Sequence, residues 1–475
     1  MDYEAVIGLE THVQLKTRSK MWCGCANEFG APPNTHVCPV CLGLPGVLPV
    51  ANEEALKLTT LTGYLLNCTI PPYAKFDRKN YFYPDMPKNY QITQYDKPST
   101  TTGYVDFEFE NAISRVRITR AHLEEDVGKN FHFERNSGVD FNRAGVPLME
   151  IVSEPDIISA EMAYEYLNAL KDILVYGGIS DCDMEKGMVR CDVNVSVRPK
   201  GQQELGAKIE IKNMNSFSGV RKALEYEIPR QIQVLKSGGE LIQSTRRWDD
   251  SAGITEEMRT KEHAHDYRYF PEPDLMPFQP TEAWLEKISS RVVELPLARK
   301  QRFMRDYQLP ASDAQTFVWD KDLGNYFEQV AKSSKNPKPI ANWVINNLRG
   351  KLAESQISLG DVKFKPGALL ELIDLVDTGK ISTKIAQDVF ADMFASGDSP
   401  ARIVEKKGLA QVSDTGAIEK FCDDAIVANP GPAADFKAGK TAALNFLKGQ
   451  VMKLSKGKAN PALVGEILER KLRQG

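Results

Sequence analysis

The sequence predicts an α+β chain: a large mixed-sheet domain over residues 1–294, an all-α domain over 295–407 and a small all-α tail over 408–475. Three observations predict it. Stretches with a two-residue apolar period recur through the first 290 or so positions, interrupted by amphipathic helical patterns. From about residue 295 only helical periods remain, in short segments with polar, Gly or Pro joints. The tail keeps the helical period and changes its charge. At 475 residues with 42% hydrophobic and 26% charged side chains, the chain is long enough for two to four domains with cores of their own. A formal net charge of −4 argues against binding nucleic acid over the whole surface. No window approaches 18 apolar residues, which excludes a membrane-spanning helix. The chain starts directly in a strand pattern without a signal or transit peptide, so a cytoplasmic protein is expected.

In chain order, Ala5–Leu15 alternates: Leu9, Thr11, Val13 and Leu15 point one way, and Glu10, His12 and Gln14 the other. A carboxylate and an imidazole two residues apart lie about 7 Å apart along a strand, a spacing suited to shared metal ligation or acid/base work. Glu53–Leu66 is helical, with Leu56, Leu61 and Leu65 recurring at helical intervals. Further strands are expected over Arg115–Thr119, Val146–Val152, Val189–Val197 and Lys208–Lys212. Ala160–Leu174 and Ser218–Leu235 read as amphipathic helices, the first stopping near Gly177-Gly178 and the second kinked by Pro229. Short helices then follow over 312–317, 323–331, 339–352, 366–376, 383–394 and 399–406. Between Lys437 and Arg473, nine cationic side chains (Lys437, Lys440, Lys448, Lys453, Lys456, Lys458, Arg470, Lys471 and Arg473) face only Glu466 and Glu469. A basic module of this kind suits a phosphate backbone, and a solvated basic helix face explains the same count.

Five stretches carry chemistry. Cys23 and Cys25, then Cys38 and Cys41, form a C-x-C and a C-x-x-C joined by a Gly- and Pro-bearing loop. Two tight thiolate pairs supply four tetrahedral ligands and no open position, so the expectation is a structural Zn²⁺, with catalytic or redox thiols as the alternative. His36 is a candidate substitute ligand, or simply a residue of that loop. In Asp77–Gln94, Tyr81, Phe82, Tyr83 and Tyr90 interleave with Arg78, Lys79 and Lys88, a pattern that stacks bases and meets phosphates or else packs as a loop under the core. Glu124, Glu125 and Asp126 follow His122, and three carboxylates in a row are costly to gather without a cation. Glu150 stands alone among apolar neighbours, an expensive place unless it is paired or ligated. In Met188–Arg198 the valines face one way and Arg190, Asp192, Asn194, Ser196 and Arg198 the other, which floors a phosphate site with a carboxylate for Mg²⁺ or forms a solvated sheet face. Taken together, Glu10, His12, Glu124, Glu125, Glu150 and Asp192 are oxygen-rich candidates for one or two hard cations, in keeping with Mg²⁺-ATP chemistry. There is no Walker loop, no GxGxxG, and no serine-hydrolase or Cys–His nucleophile motif.

At these residues the chain closely resembles a family, the B subunits of the aspartyl/glutamyl-tRNA(Asn/Gln) amidotransferases. The resemblance covers essentially the whole chain. It rests on IGLETHVQL (7–15), the two cysteine pairs, KNYFYPDMPKNYQITQ (79–94), HLEEDVGK (122–129), DFNRAGVPLMEIVSEPD (140–156) and RCDVNVSVR (190–198). It implies a cradle-like catalytic domain, a helical domain and a tRNA-binding tail like the YqeY family. It implies a heterotrimer with an amidase-type A subunit, which hydrolyses glutamine and supplies ammonia, and a small C subunit. The implied reaction uses ATP to phosphorylate the side-chain carboxylate of Asp or Glu on misacylated tRNA(Asn) or tRNA(Gln), after which ammonia displaces phosphate. By resemblance, Glu10, His12, Glu125 and Glu150 are catalytic. Mg²⁺ falls to Glu10, His12, Glu124, Glu125 and Glu150, phosphate or substrate contact to Lys79, Arg190 and Asp192, and the ammonia entrance to Lys88. Zn²⁺ on the four cysteines is an accessory in that family.

Two other classes of function stay in play. A stand-alone ATP-dependent ligase amidating a small carboxylic acid explains the carboxylates and leaves the aromatic-basic stretch and the tail unexplained. A non-catalytic tRNA-docking subunit explains the tail and leaves Glu150 and the acidic triple without purpose.

Overall fold

The first strand, β1 (Tyr3–Gln14), is the spine of the sheet: its alternation gives it one apolar and one polar face, and it pairs with a strand on each side. The computed structural model describes residues 2–260, 267–334, 336–409, 415–455 and 459–474. It divides the chain into two compact units, residues 1–299 and 300–475.

In the first unit β1 is followed by α1 (Glu53–Leu65), β2 (Asp77–Asn80), β3 (Tyr90–Thr93), β4 (Thr100–Phe109) and β5 (Ala112–Glu125). Next come β6 (Lys129–His132), β7 (Ser137–Asp140), β8 (Pro147–Ser153), α2 (Ala160–Tyr176), β9 (Val189–Pro199), β10 (Ile209–Met214) and α3 (Phe217–Lys236). The unit ends with β11 (Ser244–Asp249), β12 (Ile254–Thr260), β13 (Phe270–Pro271) and α4 (Glu282–Ser289). Eight strands form one sheet in the order β12-β11-β10-β9-β1-β8-β5-β4. Its pairs are antiparallel except β10 with β11, which makes the sheet mixed and the fold α+β as expected. A small sheet, β13-β2-β3, and the hairpin β6-β7 stand apart from it. The stretch 77–94 therefore has a strand at each end, with the aromatic and proline-bearing segment 81–89 between them.

The apolar face of the large sheet is covered by helices. Ile7, Leu9, Val13, Ile151, Val193 and Ile211 join Leu58, Leu61 and Leu65 of α1, Leu167 and Leu170 of α2 and Val220 and Leu224 of α3 in one buried cluster. Each of these helices starts where its sequence says. Asn52 accepts from the backbone N–H of Glu54 at 3.0 Å, Ser159 from Met162 at 3.1 Å and Ser216 from Gly219 at 2.9 Å, which satisfies otherwise orphaned donors. Pro229 lies inside α3, which continues through it to Lys236.

The second unit holds two separate apolar clusters. One gathers residues from Phe303 to Val404, including Phe317, Phe327, Leu369, Leu372, Val389 and Phe390. The other runs from Ile418 to Leu472, including Cys422, Leu447, Val451, Ile467 and Leu468. The helix expected over 339–352 runs as Pro337–Trp343 and Arg349–Ser355 with a π-turn, Val344–Leu348, between them. Among the described residues no helix is long and apolar enough to cross a membrane.

The cations of the tail are less free than their count implied. Lys440 pairs with Asp435 at 3.0 Å and Lys471 with Asp423 at 2.6 Å, while Arg470 pairs with Glu419 and Arg473 with Glu469. The acids at 419, 423 and 435 precede the window in which the basic residues cluster. Lys437, Lys448 and Lys453 carry no ion pair among the described residues, and Lys456 and Lys458 lie outside them.

Candidate functional site

Strand pairing brings the polar positions together on the sheet face turned away from the helices. His12 stands opposite Glu150 on β8 and opposite Arg190 on β9, and Glu150 stands opposite His122 on β5. One row across four strands therefore reads Arg190, His12, Glu150, His122. Glu124, two residues beyond His122, lies on the same face. His12, Glu124 and Glu150 each offer a ligand atom within 4.8 Å of the others. His12 Nε2 is 3.5 Å from Glu150 Oε2, and His122 Nε2 is 3.3 Å from Glu124 Oε1 and 3.6 Å from Glu150 Oε2. The small sheet closes over this end. Thr93 Oγ1 donates to Glu124 Oε1 at 2.9 Å and Gln91 Nε2 to Glu124 Oε2 at 3.2 Å.

The electrostatics follow from burial against these partners. Burial works against a charged His12, but the hydrogen bond and charge of Glu150, with the charges of Glu124 and Asp192, overcome it and raise the imidazole to about 9. Burial alone raises a carboxylate, yet His122, His12 and Lys79 hold Glu150 well below the usual range. Glu124 is lowered too, against both burial and the Glu150 charge, by His122 and Lys79. Lys79, on β2, stays charged against burial because Glu124 and Glu150 face it, and its Nζ lies 4.7 Å from the centre of the Tyr267 ring. Two carboxylates, two imidazoles and an ammonium thus share one partly buried site, a donor set that could take a hard cation with a negatively charged group beside it.

A second cluster lies along the same face toward β10. Glu10, Asp192 and Glu210 offer oxygens within 4.8 Å of one another. Asn194 Nδ2 donates to Glu10 Oε1 at 2.8 Å. Lys212 Nζ reaches Asp192 at 2.6 Å and Glu210 at 3.2 Å, and these two charges keep it protonated although it is largely enclosed. Glu210 and Lys212 were not singled out from the sequence, nor was His122 as a partner of Glu150. The signal was there in each case. The run Ile-Glu-Ile-Lys (209–212) alternates as β9 does, and His122 sits two residues before Glu124 on one strand face.

The acidic triple divides. Adjacent strand residues point to opposite faces, so Glu125 leaves the face that carries Glu124. Glu125 is buried, forms an ion pair with Lys88 and accepts from the backbone N–H of Ile92 at 2.9 Å. Asp126 takes Arg190 at 2.8 Å and Arg143 at 3.5 Å. Of the predicted residues, the fold thus gathers His12, Glu124 and Glu150 in one cluster and Glu10 with Asp192 in the next. Lys79 faces the first cluster, and Lys88 with Glu125 and Arg190 with Asp126 form pairs of their own.

The four cysteines come together as well. Cys23, Cys25, Cys38 and Cys41 place their sulfurs within 4.8 Å of one another. Four Zn–S bonds of about 2.3 Å put tetrahedral sulfurs about 3.8 Å apart, so the donor set fits Zn²⁺ with little movement. Cys41 and Cys23 share a proton: the hydrogen bond between them, the Cys38 backbone N–H at 3.1 Å and the Lys20 ammonium lower the Cys41 thiol, and the same hydrogen bond raises that of Cys23. His36 stays outside the cluster, its backbone N–H donating to Asn142 Oδ1 at 2.8 Å. The loop that carries the cysteines also touches the Lys88–Glu125 pair. Gly43, at φ +64°, packs so closely on Lys88 that a Cβ there would lie 2.5 Å from Lys88 Cγ.

Comparison with known proteins identifies the family. A family model described as the GatB/GatE catalytic domain matches residues 5–286, and one described as the GatB domain matches 325–472. The chain is 53% identical over 476 residues to the B subunit of the aspartyl/glutamyl-tRNA(Asn/Gln) amidotransferase of Carboxydothermus hydrogenoformans, covering 99% of each. It is 52% identical to the protein of the same name from Persephonella marina, over the full length of both, and 50% identical to that from Brevibacillus brevis, over 98% of both. With both family models matched and relatives of this identity aligned end to end, the chain belongs to the GatB/GatE family of amidotransferase B subunits.

Proposed function

We propose that this chain is the amidating component of a glutamine-dependent aminoacyl-tRNA amidotransferase, a carbon–nitrogen ligase that converts Asp-tRNA(Asn), Glu-tRNA(Gln) or both to the amides at the expense of ATP. The observation that carries the reading is the pocket of His12, Glu124 and Glu150 with Lys79 facing it, in a member of this family. The chemistry has to run in two steps. A carboxylate is a poor acyl donor, so the side-chain carboxylate first takes the terminal phosphoryl group of ATP. Ammonia then attacks the acyl carbon and phosphate leaves. His12, on losing its proton, would hold one Mg²⁺ with Glu124 and Glu150, and Glu10, Asp192 and Glu210 would suit a second. Bound Mg²⁺ supplies neutralisation of the phosphoryl oxygens. Lys79 fixes the substrate carboxylate or a phosphoryl oxygen against the sheet. Arg190, held at Asp126, presents its remaining N–H groups to phosphate.

The Lys88–Glu125 pair stands at the ammonia entrance in this reading, and the chain's partners are an amidase-type A subunit, which releases ammonia from glutamine, and a small C subunit. The four thiolates bind Zn²⁺ in a closed shell, which holds the knuckle and takes no part in the chemistry. The tail binds tRNA through the lysines that carry no ion pair. The protein works in the cytoplasm, where translation supplies its substrate. The test is amide and ADP formation by the purified chain with its partner subunits, glutamine, Mg²⁺ and misacylated tRNA. Glu150→Ala is expected to abolish both products while the partner still hydrolyses glutamine. Full amide formation by that variant, or amide formation without ATP, would overturn the reading.

A further inference from the structure

Lys20 is the anomaly of the first unit. Its side chain is 1% exposed, and an ammonium taken out of water needs a compensating anion. Among the described residues no carboxylate pairs with it. Its Nζ donates to two groups, Cys41 Sγ at 3.6 Å and the carbonyl of Phe141 at 3.2 Å. The backbone on either side is fixed from the same two directions. Lys20 N–H donates to the Cys25 carbonyl at 3.0 Å, and Met21 N–H donates to the Gly145 carbonyl at 2.7 Å. Gly145, at φ +83°, sits where a Cβ would touch Cys41 Cβ at 3.6 Å, Lys20 Cδ at 3.7 Å and Glu125 Oε2 at 3.8 Å.

We propose that Lys20 is the buried counter-cation of the four-cysteine metal centre and the strap that ties it to the 141–146 segment behind Glu125. Four thiolates around Zn²⁺ carry a net charge of about −2, and a sulfur that accepts hydrogen bonds from an ammonium and an amide keeps that charge without protonation. Lys20 supplies the ammonium and the Cys38 N–H, at 3.1 Å from Cys41 Sγ, the amide. The arrangement is mutual: the metal centre provides the anion that makes a buried lysine tolerable. Lys20 Nζ on the Phe141 carbonyl and the neighbouring Met21 N–H on the Gly145 carbonyl together tie the cysteine centre to that segment. Lys20 is on this account a positioning residue for the metal, and makes no contact with substrate.

The inference rests on the reading of the cysteines as a Zn²⁺ site, and its test keeps the two apart. Zinc per chain and the rate of zinc loss to a chelator are measured for the full chain in its complex, for the parent and for Lys20→Met, which keeps the stem and removes the charge. About one zinc per parent chain, with release at least about tenfold faster from Lys20→Met, is expected. The thiolate-to-metal charge-transfer band of the Co²⁺-loaded protein is expected to shift in the variant, which loss of packing elsewhere would not cause. A parent without zinc removes the metal reading itself. A zinc-loaded parent with equal release rates and an unchanged Co²⁺ band in Lys20→Met overturns the role of Lys20. Where the variant does not fold, lysine acetylation of the unaltered protein decides: Lys20 is expected to be protected with zinc and reactive after chelation, and equal protection in both states overturns the proposal.

Discussion

Replacing Glu150 by Gln tests the electrostatic account of the pocket at its centre. Gln keeps the shape and removes the charge that faces His12 at 3.5 Å and His122 at 3.6 Å. In the intact pocket His12 moves from 6.5 to about 9 although burial opposes its charged form. With one pKa unit worth about 1.4 kcal/mol, that shift corresponds to about 3 kcal/mol of linkage between protonation and folding. The His12 side chain is 21% exposed, so solvent screening reduces this only modestly. The sign is set by a folded pKa that is raised. The contribution is fully present below about pH 6.5 and disappears as pH rises through about 9. The depressed Glu150 carboxyl reports the same pairing and adds no second share. In Glu150→Gln, burial is opposed only by the charges of Glu124 and Asp192, so the His12 pKa is expected to fall by at least about one unit. Proton NMR titration of the metal-free protein reads this directly. The chain has six histidines, and His12 is assigned by its absence in His12→Asn. A chelator keeps any cation from competing for the ring. Denaturant unfolding at about pH 6 and about pH 9.5 is expected to show a loss of stability in the parent that is smaller in the variant. A parent His12 titrating near its ordinary value, or an equal pKa in both proteins, would refute the reasoning.

Glu125→Ala leaves Lys88 buried without its carboxylate, so it should lower the unfolding midpoint and abolish amide formation with glutamine as donor; calorimetry and assays of amide and of partner glutaminase activity separate the effects. Cys38→Ser should remove the bound zinc and lower the unfolding midpoint of the first unit by on the order of 5 °C, with metal analysis and calorimetry as the measurements. Deleting residues 408–475 should weaken tRNA binding and flatten its dependence on salt by about 0.7–0.9 in log–log slope for each phosphate that the tail neutralises. Unchanged binding across a salt series would place the tRNA-binding cations elsewhere.

How much of this was legible in the sequence turns on the difference between a strand and a sheet. Faces are local, and they were readable. The alternation of Leu9–Leu15 and of Val189–Val197 assigned Glu10 and His12, then Arg190, Asp192 and Asn194, to polar faces that the structure reproduces. Helix starts were equally local, since Asn52, Ser159 and Ser216 carry their own capping chemistry. Strand order is not local. Nothing in residues 5–15 says that β8 lies on one side and β9 on the other, yet that order alone sets His12 between Glu150 and Arg190 and brings His122 to Glu150. The division of Glu124 from Glu125 falls between these cases. The strand period separates them from the sequence alone, whereas the small-sheet partners that each then meets, Gln91 and Thr93 for Glu124 and Ile92 for Glu125, lie more than 30 positions away. A register slip of one residue in β5 would therefore exchange Glu124 for Glu125 at the pocket and bury a carboxylate among Leu123's apolar neighbours. The hydrophobic burial of Leu123 and Met149, which stand opposite each other, resists that slip and so holds Glu124 beside Glu150. The chemistry of the polar face is thus held in place by the apolar one.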